Sequence, residues 1–202
     1  QRSTIQLDDG SQVILNFDTV LDVKLGDSSR SFRLKRGEAL FTVAQDTRRP
    51  FTVTAGGGKV TALGTRFQVR HERKRVIVTL LEGRVAVDRE HTGEHRQLTS
   101  GEQLNFGADA TPWRHRVVDP DVASSWTSGR LKFRFTPLAE VLDEVNRYSR
   151  TQIRQQDAAM AEIPVNGIFE VGDGASVVAA IELMLPLEGR LRESGEVVLV
   201  RR

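Results

Sequence analysis

The fold is decided by the stretch Val-Thr-Ala-Leu-Gly-Thr-Arg-Phe-Gln-Val at residues 60–69, and above all by residues 63–69. Two sets of side chains alternate there, a mainly apolar one and a polar one: Leu63, Thr65, Phe67 and Val69 against Arg66, Gln68 and Arg70. Successive side chains of a strand lie on opposite faces, so the stretch predicts a half-buried strand that begins at Gly64. We expect Gly64 to let the backbone bend or approach a neighbour closely. Since the stretch contains no nucleophile or acid/base pair, it indicates a scaffold for contact rather than for chemistry.

Short strands separated by turn residues surround this stretch throughout residues 1–117. The segments Phe32–Leu34 and Ala39–Ala44, for example, are predicted as separate strands around a turn that contains Gly37. Turn signals recur about every 8–12 residues and no helical period is visible, a pattern typical of an antiparallel sandwich or roll. The sequence therefore predicts an all-β domain over residues 1–117.

Residues 118–129 have a different composition, rich in proline, aspartate and serine, with Trp126 as the one large apolar side chain. This composition predicts a linker whose tryptophan packs against one of the units that it joins.

Residues 130–202 are predicted as a small α+β subdomain of βαββαβ type, with two helices on a sheet. Its first strand has Leu131, Phe133 and Phe135 on the buried face, and Thr136 and Pro137 then begin a helix. The apolar stripes of the two helices fall at helical spacing: Leu138, Val141, Leu142, Val145 and Tyr148, then Val177, Val178, Ile181, Met184 and Leu185. A strand over Ile163–Val171 and a closing hairpin complete the subdomain.

Composition excludes several classes of protein. The 202 residues have a formal net charge of +2, which is too small an excess to predict nucleic-acid binding. No apolar run is long enough to span a membrane. Cysteine is absent, so disulfides and thiol catalysis are excluded. Because the chain begins at Gln1 rather than Met, we expect it to be a piece of a longer protein.

Motifs for catalysis and for cofactors are also absent from the sequence. His91 and His95 have the spacing of a helical zinc pair, but Thr92 and Gly93 between them predict a solvated hairpin. We therefore expect that the protein is not an enzyme and has no catalytic residues, and that it binds no metal, cofactor or small-molecule substrate.

Six short motifs, in a fixed order, make the first domain resemble the FecR family: Leu7–Ser11, Arg36–Ala39, Phe51–Val53, Leu63–Val69, Leu81–Val85 and Ser100–Leu104. Residues 126–202 are similar to the region that follows in FecR proteins, and also to the short N-terminal domain of secretins and TonB-dependent receptors.

The resemblance implies the periplasmic part of a single-pass inner-membrane regulator from a Gram-negative cell. Such a part binds the N-terminal signalling domain of a TonB-dependent outer-membrane siderophore transporter. It thereby relays ferric-siderophore occupancy to an extracytoplasmic-function sigma factor, which only a missing cytoplasmic segment would contact. Self-association through the C-terminal subdomain is a further expectation. The alternative is a structural or envelope-associated β module without a sigma partner.

Eight residues are candidates for partner binding: Leu131, Phe133, Leu138, Leu142, Val145, Asn166, Ile168 and Glu170. The resemblance implies receptor contact by the heptad-like run that includes Leu131, Leu138 and Val145, whereas helical spacing favours a core role for the same residues. Ile168 points away from Phe169 by alternation and could mark a sheet edge that is open to a partner strand. A single exposed apolar residue also needs no function.

Overall fold

The computed structural model describes residues 2–73, 75–89, 92–107 and 112–202. The chain forms two compact units, Gln1–Ser124 and Ser125–Arg202. It is mostly β, as predicted.

In the part of the chain that the structure describes, the first unit is one curled sheet of twelve strands. The strands are β1 Ser3–Gln6, β2 Gln12–Leu15, β3 Val20–Leu25, β4 Arg30–Thr42, β5 Phe51–Ala55, β6 Gly58–Ala62, β7 Arg66–Glu72, β8 Arg75–Glu82, β9 Arg84–Arg89, β10 His95–Thr99, β11 Glu102–Gly107 and β12 Arg114–Val117. The longest path runs β10-β9-β6-β5-β4-β7-β8-β11-β12, with β3 also paired to β4 and the β1–β2 hairpin paired to β4 through β2. β4 therefore joins the two halves of the sheet.

The prediction of two strands on either side of Gly37 is wrong, because β4 is a single strand. Before Gly37 it pairs with β3 and β5, and from Gly37 onward it pairs with β2 and β7. Gly37 has φ +90°, and a Cβ there would lie 2.5 Å from Cα of Thr19. A glycine thus bends the strand between the two halves of the sheet without ending it.

The predicted strand at residues 63–69 is also corrected. The chain turns between β6 and β7, which leaves Leu63 exposed. Gly64 has φ +131°, and a Cβ there would lie 3.2 Å from Cα of Gln45, so the expected bend and close approach are present. β7 then pairs on both sides, with β4 and β8, and buries Phe67, Gln68 and Val69 together.

At the centre of the first unit's core, four phenylalanines from three neighbouring strands pack together. The rings of Phe32 and Phe51 stack at 4.4 Å between centroids, and those of Phe41 and Phe67 stack at 5.2 Å. Offset aromatic pairs at such distances add to the stabilisation that burial alone provides. The fold therefore depends on apolar side chains that β4 supplies to both halves of the sheet.

One charged side chain, Arg30, is buried beside this core and is only 1% exposed. Its Nη1 donates to Oδ2 of Asp9 at 2.6 Å and to the carbonyl oxygen of Ala44 at 3.1 Å. Nε and Nη2 donate to the carbonyl oxygen of Arg49 at 3.0 and 2.7 Å. Arg30 thus fixes the loop before β5 and the β1–β2 turn to the start of β4.

The Asp9 carboxyl has a perturbed pKa. Burial raises the pKa of Asp9, but hydrogen bonds from Arg30 and Ser11 outweigh burial and hold it below its ordinary value of 3.8. A carboxyl whose pKa is lowered by folding stabilises the folded state above its unfolded pKa, and this stabilisation is lost as the pH falls through the folded pKa.

We therefore expect the difference in unfolding free energy between the wild type and Asp9→Asn to be constant from about pH 7 to about pH 5 and to shrink below about pH 4. Urea unfolding at several pH values measures this difference. A difference that grows on acidification would contradict the assigned ion pair.

Short helical segments follow β12 along the chain. These are α1 Pro120–Ala123, which still lies in the first unit, and a 3₁₀ turn at Ser125–Ser128 that buries Trp126. The other elements are β13 Arg130–Pro137, α2 Leu138–Asn146, β14 Ile153–Gln155, a 3₁₀ turn at Ala158–Met160, β15 Pro164–Glu170, α3 Gly174–Met184, β16 Leu187–Leu191 and β17 Val197–Arg201. The sequence 118–129 was predicted as a linker, and in the structure it carries these short helical segments.

The prediction that both helices pack on a single sheet is wrong, because the strands of this unit form two sheets. β13 and β15 form an antiparallel pair, and β14, β17 and β16 form a separate three-stranded sheet. One side chain explains part of the separation. Nδ2 of Asn146 donates to the Ile153 carbonyl oxygen and Oδ1 accepts from the Ile153 N–H, both at 2.8 Å, so a side chain occupies the edge of β14 where another strand could pair.

The helices follow the predicted stripes in part. Leu138, Val141, Leu142 and Val145 are buried on α2, as helical spacing predicts. Thr136 does not cap α2, because β13 continues to Pro137 and the Thr136 hydroxyl donates to the carbonyl oxygen of Arg134 at the end of the strand. Asp173 does cap α3, accepting from the N–H of Ser176 at 3.0 Å. Met184, predicted to lie on the buried stripe of α3, is exposed.

Candidate partner-binding surface

The β13–β15 pair has one buried and one exposed face. The partners across the pair are Arg130 with Glu170, Leu131 with Phe169, Lys132 with Ile168 and Phe133 with Gly167. Leu131 and Phe133 are buried, and the rings of Phe133 and Phe169 lie 6.0 Å apart. Paired residues share a face, so the alternate residues lie together on the other face. We call this outer set, Arg130, Lys132, Asn166, Ile168 and Glu170, together with Phe135 from the bulge described below, the β13–β15 face.

The eight sequence candidates divide between the core and this face. Leu131, Phe133, Leu138, Leu142 and Val145 are buried, so a partner could reach them only if the unit opened. The other three candidates, Asn166, Ile168 and Glu170, are exposed on β15. Ile168 is 61% exposed, which agrees with its predicted outward direction.

Phe135 does not lie on the buried face of β13, where alternation predicts it. A β-bulge lies between Phe133 and Thr136, where Arg134 and Phe135 together oppose Asn166. Phe135 consequently leaves the buried face and is 75% exposed. Strict alternation assumes that no extra residue is present, so it could not predict this bulge. The extra residue moves every later side chain of the strand to the opposite face.

The bulge holds Phe135 in an uncommon conformation. Its φ is +48°, a region that bulky residues rarely occupy and that costs about 1–3 kcal/mol. Oδ1 of Asn166 accepts a hydrogen bond from the Phe135 N–H at 2.9 Å and so stabilises the bulge. Strain of this kind often accompanies a functional site, and here it exposes a large aromatic ring.

The free edge of β15 adjoins the same face. The N–H of Val171 donates to the Gly129 carbonyl oxygen at 2.9 Å, which places this pair in the hydrogen-bonded class of the ladder. By alternation, the N–H and C=O groups of Asn166 and Ile168 and the N–H of Glu170 point away from β13, whereas the Glu170 carbonyl oxygen accepts from the Asp173 N–H at 3.2 Å. Among the described residues no strand pairs with that edge.

The charges of the β13–β15 face are mainly basic. Nε of Arg130 lies 3.2 Å from Oε1 of Glu170 in an exposed ion pair. Lys132 adds a further cation beside Ile168. The face thus combines two exposed apolar groups, an open strand edge and a rim of charged side chains, which suits contact with another protein.

The described part of the chain shows no group of three or more residues that could hold a metal ion. His95 instead pairs with Asp88, with 2.7 Å between Nδ1 and Oδ1. His91, the other histidine of the spacing considered above, lies outside the described residues. Within the described ranges, no helix has the length and apolar character needed to cross a bilayer.

The sequence of the first unit matches a known family. Residues 1–86 match the family model described as FecR protein. The match covers fewer than half of the 202 residues, so this part of the chain is similar to FecR proteins. FecR proteins are regulators rather than enzymes, typically anchored in a membrane with a periplasmic part, and the match supports a role in sigma-factor signalling.

The fold also resembles a solved protein over its whole length. Two crystal structures of a candidate anti-sigma factor from Parabacteroides distasonis ATCC 8503 superpose on the chain with TM-scores of 0.80 and 0.78. Each is 24% identical to the chain, and the similarity covers 100% of this chain and 95% of that chain. At this identity the comparison shows a shared fold. No curated protein matches the chain.

Proposed function

We propose that this FecR-like chain is the periplasmic, signal-receiving part of a sigma-factor regulator. Its partner is the N-terminal signalling domain of a TonB-dependent outer-membrane transporter. On docking, the chain relays ferric-siderophore occupancy of the transporter toward an extracytoplasmic-function sigma factor. A cytoplasmic segment of the same protein, and not residues 1–202, would contact the sigma factor.

The observation that carries this proposal is the open edge of β15 beside two exposed apolar side chains. An added strand would bond to the N–H and C=O groups of Asn166 and Ile168 and to the N–H of Glu170, and these backbone bonds supply affinity without regard to sequence. Ile168 and Phe135 would supply the apolar contact, and aromatic anchors commonly dominate such interfaces. The basic rim favours a partner strand with acidic side chains.

The position of the edge also suits a reversible signal. β15 belongs to a two-stranded pair, so strand addition would extend a small sheet rather than disturb a large one. A second copy of this unit could pair through the same edge of β15. The receptor domain would then compete with the second copy for that edge and displace it. A relay then requires only that the signalling domain be accessible to this chain in one state of the transporter, with or without ferric siderophore, and inaccessible in the other.

The direct test is isothermal titration of residues 1–202 with the signalling domain of the cognate transporter. We expect a saturable heat and a complex that elutes earlier than either protein in size-exclusion chromatography. Two folded proteins that give neither signal would contradict the proposal. Co-sedimentation of the chain with purified peptidoglycan, in place of receptor binding, would favour an envelope-associated β module.

A further inference from the structure

The first unit has an unpaired strand edge of its own, at β3. Among the described residues β3 pairs only with β4. Leu21 lies opposite Leu34, Val23 opposite Phe32 and Leu25 opposite Arg30, each of these β4 residues being buried. Paired residues share a face, so Leu21, Val23 and Leu25 continue the apolar core face. Yet Val23 is 46% and Leu25 is 48% exposed, because this margin of the core face is left uncovered.

The hydrogen-bond pattern of β3 shows which residues face the open edge. The N–H of Gly26 donates to the Ser29 carbonyl oxygen at 2.9 Å, which closes the turn to β4 and puts that pair in the hydrogen-bonded class. By alternation Lys24 and Asp22 bond toward β4, whereas the N–H and C=O groups of Leu21, Val23 and Leu25 point outward. The apolar residues therefore also carry the free backbone groups.

The sequence of β3 is complementary to itself in one antiparallel register. With Val23 opposite Val23 of a second copy, Leu21 lies opposite Leu25 of that copy, and all three outward residues form hydrogen-bonded pairs. The same register sets Asp22 of each copy opposite Lys24 of the other on the outer face. A shift of the second copy by one residue would place outward backbone groups opposite inward ones, and would lose both charge pairs.

We propose that β3 pairs antiparallel with β3 of a second copy of this chain about a two-fold axis at Val23. The pairing continues the half-sheet that contains β3 and β4 across the axis and covers Val23 and Leu25. Opposite charges at directly opposed positions fix the register and disfavour other edge partners. This contact lies in the FecR region and does not depend on the receptor-binding face of the second unit.

A proline at Val23 tests the backbone part of the proposal. The N–H of Val23 makes no bond to β4, so Val23→Pro should keep the β3–β4 ladder while removing the donors at the axis. Sedimentation equilibrium of residues 1–202 should show a concentration-dependent dimer, weakened at least about tenfold by Val23→Pro. Circular dichroism should show an unchanged fold.

Charge exchange tests the register and remains informative if the proline variant fails to fold. Asp22→Lys and Lys24→Asp should each weaken the dimer, because like charges then oppose each other across the axis. An equimolar mixture of the two variants should restore association, as a mixed dimer again sets opposite charges against each other. Asp22 also pairs with Lys35 of its own chain at 2.9 Å, so Lys35→Ala serves as the control and should leave association unchanged.

At about 1 mM even a weak specific dimer is populated. The proposal would therefore be overturned if the chain stayed monomeric up to that concentration. A dimer that neither Val23→Pro nor the charge reversals weaken would overturn it equally, as would a mixture that fails to restore association.

Discussion

Replacing Arg30 with alanine is expected to lower the free energy of unfolding by about 3–5 kcal/mol, the cost of leaving one member of a buried ion pair without its partner. Asp9 would keep a partly buried carboxylate that has lost its cation, and the carbonyl oxygens of Ala44 and Arg49 would lose their donors. The cavity beside Phe51, whose ring centroid lies 5.4 Å from the guanidinium carbon, adds to the loss. For a chain of this size the thermal midpoint should fall by roughly 6–20 °C.

Arg36→Ala is the matched control for this substitution. Arg36 lies on the same strand and pairs with Asp18 at 2.7 Å, a distance close to the 2.6 Å of the Arg30–Asp9 pair. Both partners of the Arg36 pair are exposed, so its loss should cost no more than about 1 kcal/mol. Urea unfolding of the two variants compares them directly. Equal losses would show that burial does not govern the strength of the Arg30 pair.

Replacing Ile168 with aspartate is expected to weaken binding of the transporter signalling domain by about 2–4 kcal/mol, the range of a residue central to an interface. The substitution removes the apolar side chain that is proposed to contact the partner, and it places a carboxylate where the proposed partner strand carries acidic groups. Since Ile168 is mostly exposed, the fold itself should lose no more than about 0.5 kcal/mol. Isothermal titration and thermal unfolding of the same variant separate the two effects.

Leu191→Asp is the control for this substitution. Leu191 is 74% exposed on β16, which belongs to the other sheet of the same unit. The same change of charge and polarity there should leave receptor affinity within a factor of about two. If both variants lost affinity equally, the effect would be one of general charge, and the β13–β15 face would not be the site.

Local periodicity predicted the parts of the structure that depend on local sequence. The stripe of α2 and the outward direction of Ile168 follow from helical and strand spacing, because each side chain's direction is set by its own element. The strand predicted over Ile163–Val171 is present as β15 for the same reason, since its alternation is uninterrupted.

Features that depend on distant residues were missed. The exposure of Phe135 requires a bulge that Asn166, from another strand, completes through its side chain. The burial of Arg30 requires acceptors from two loops, the β1–β2 turn and the loop before β5, which no spacing in the sequence brings together. Gly37 looked like the end of a strand, yet it bends one continuous strand between two halves of a sheet. The candidate surface was therefore predictable only on β15, where alternation applies without interruption.

The most direct test of the proposed function is hydrogen–deuterium exchange of residues 1–202, alone and with the cognate signalling domain. We predict that the amides of Ile168 and Glu170, which point toward the open edge of β15, become protected in the complex. The amides of β16, in the other sheet, should exchange as before. Saturated binding without any change in exchange across Pro164–Glu170 would show that the partner docks elsewhere and would contradict the account.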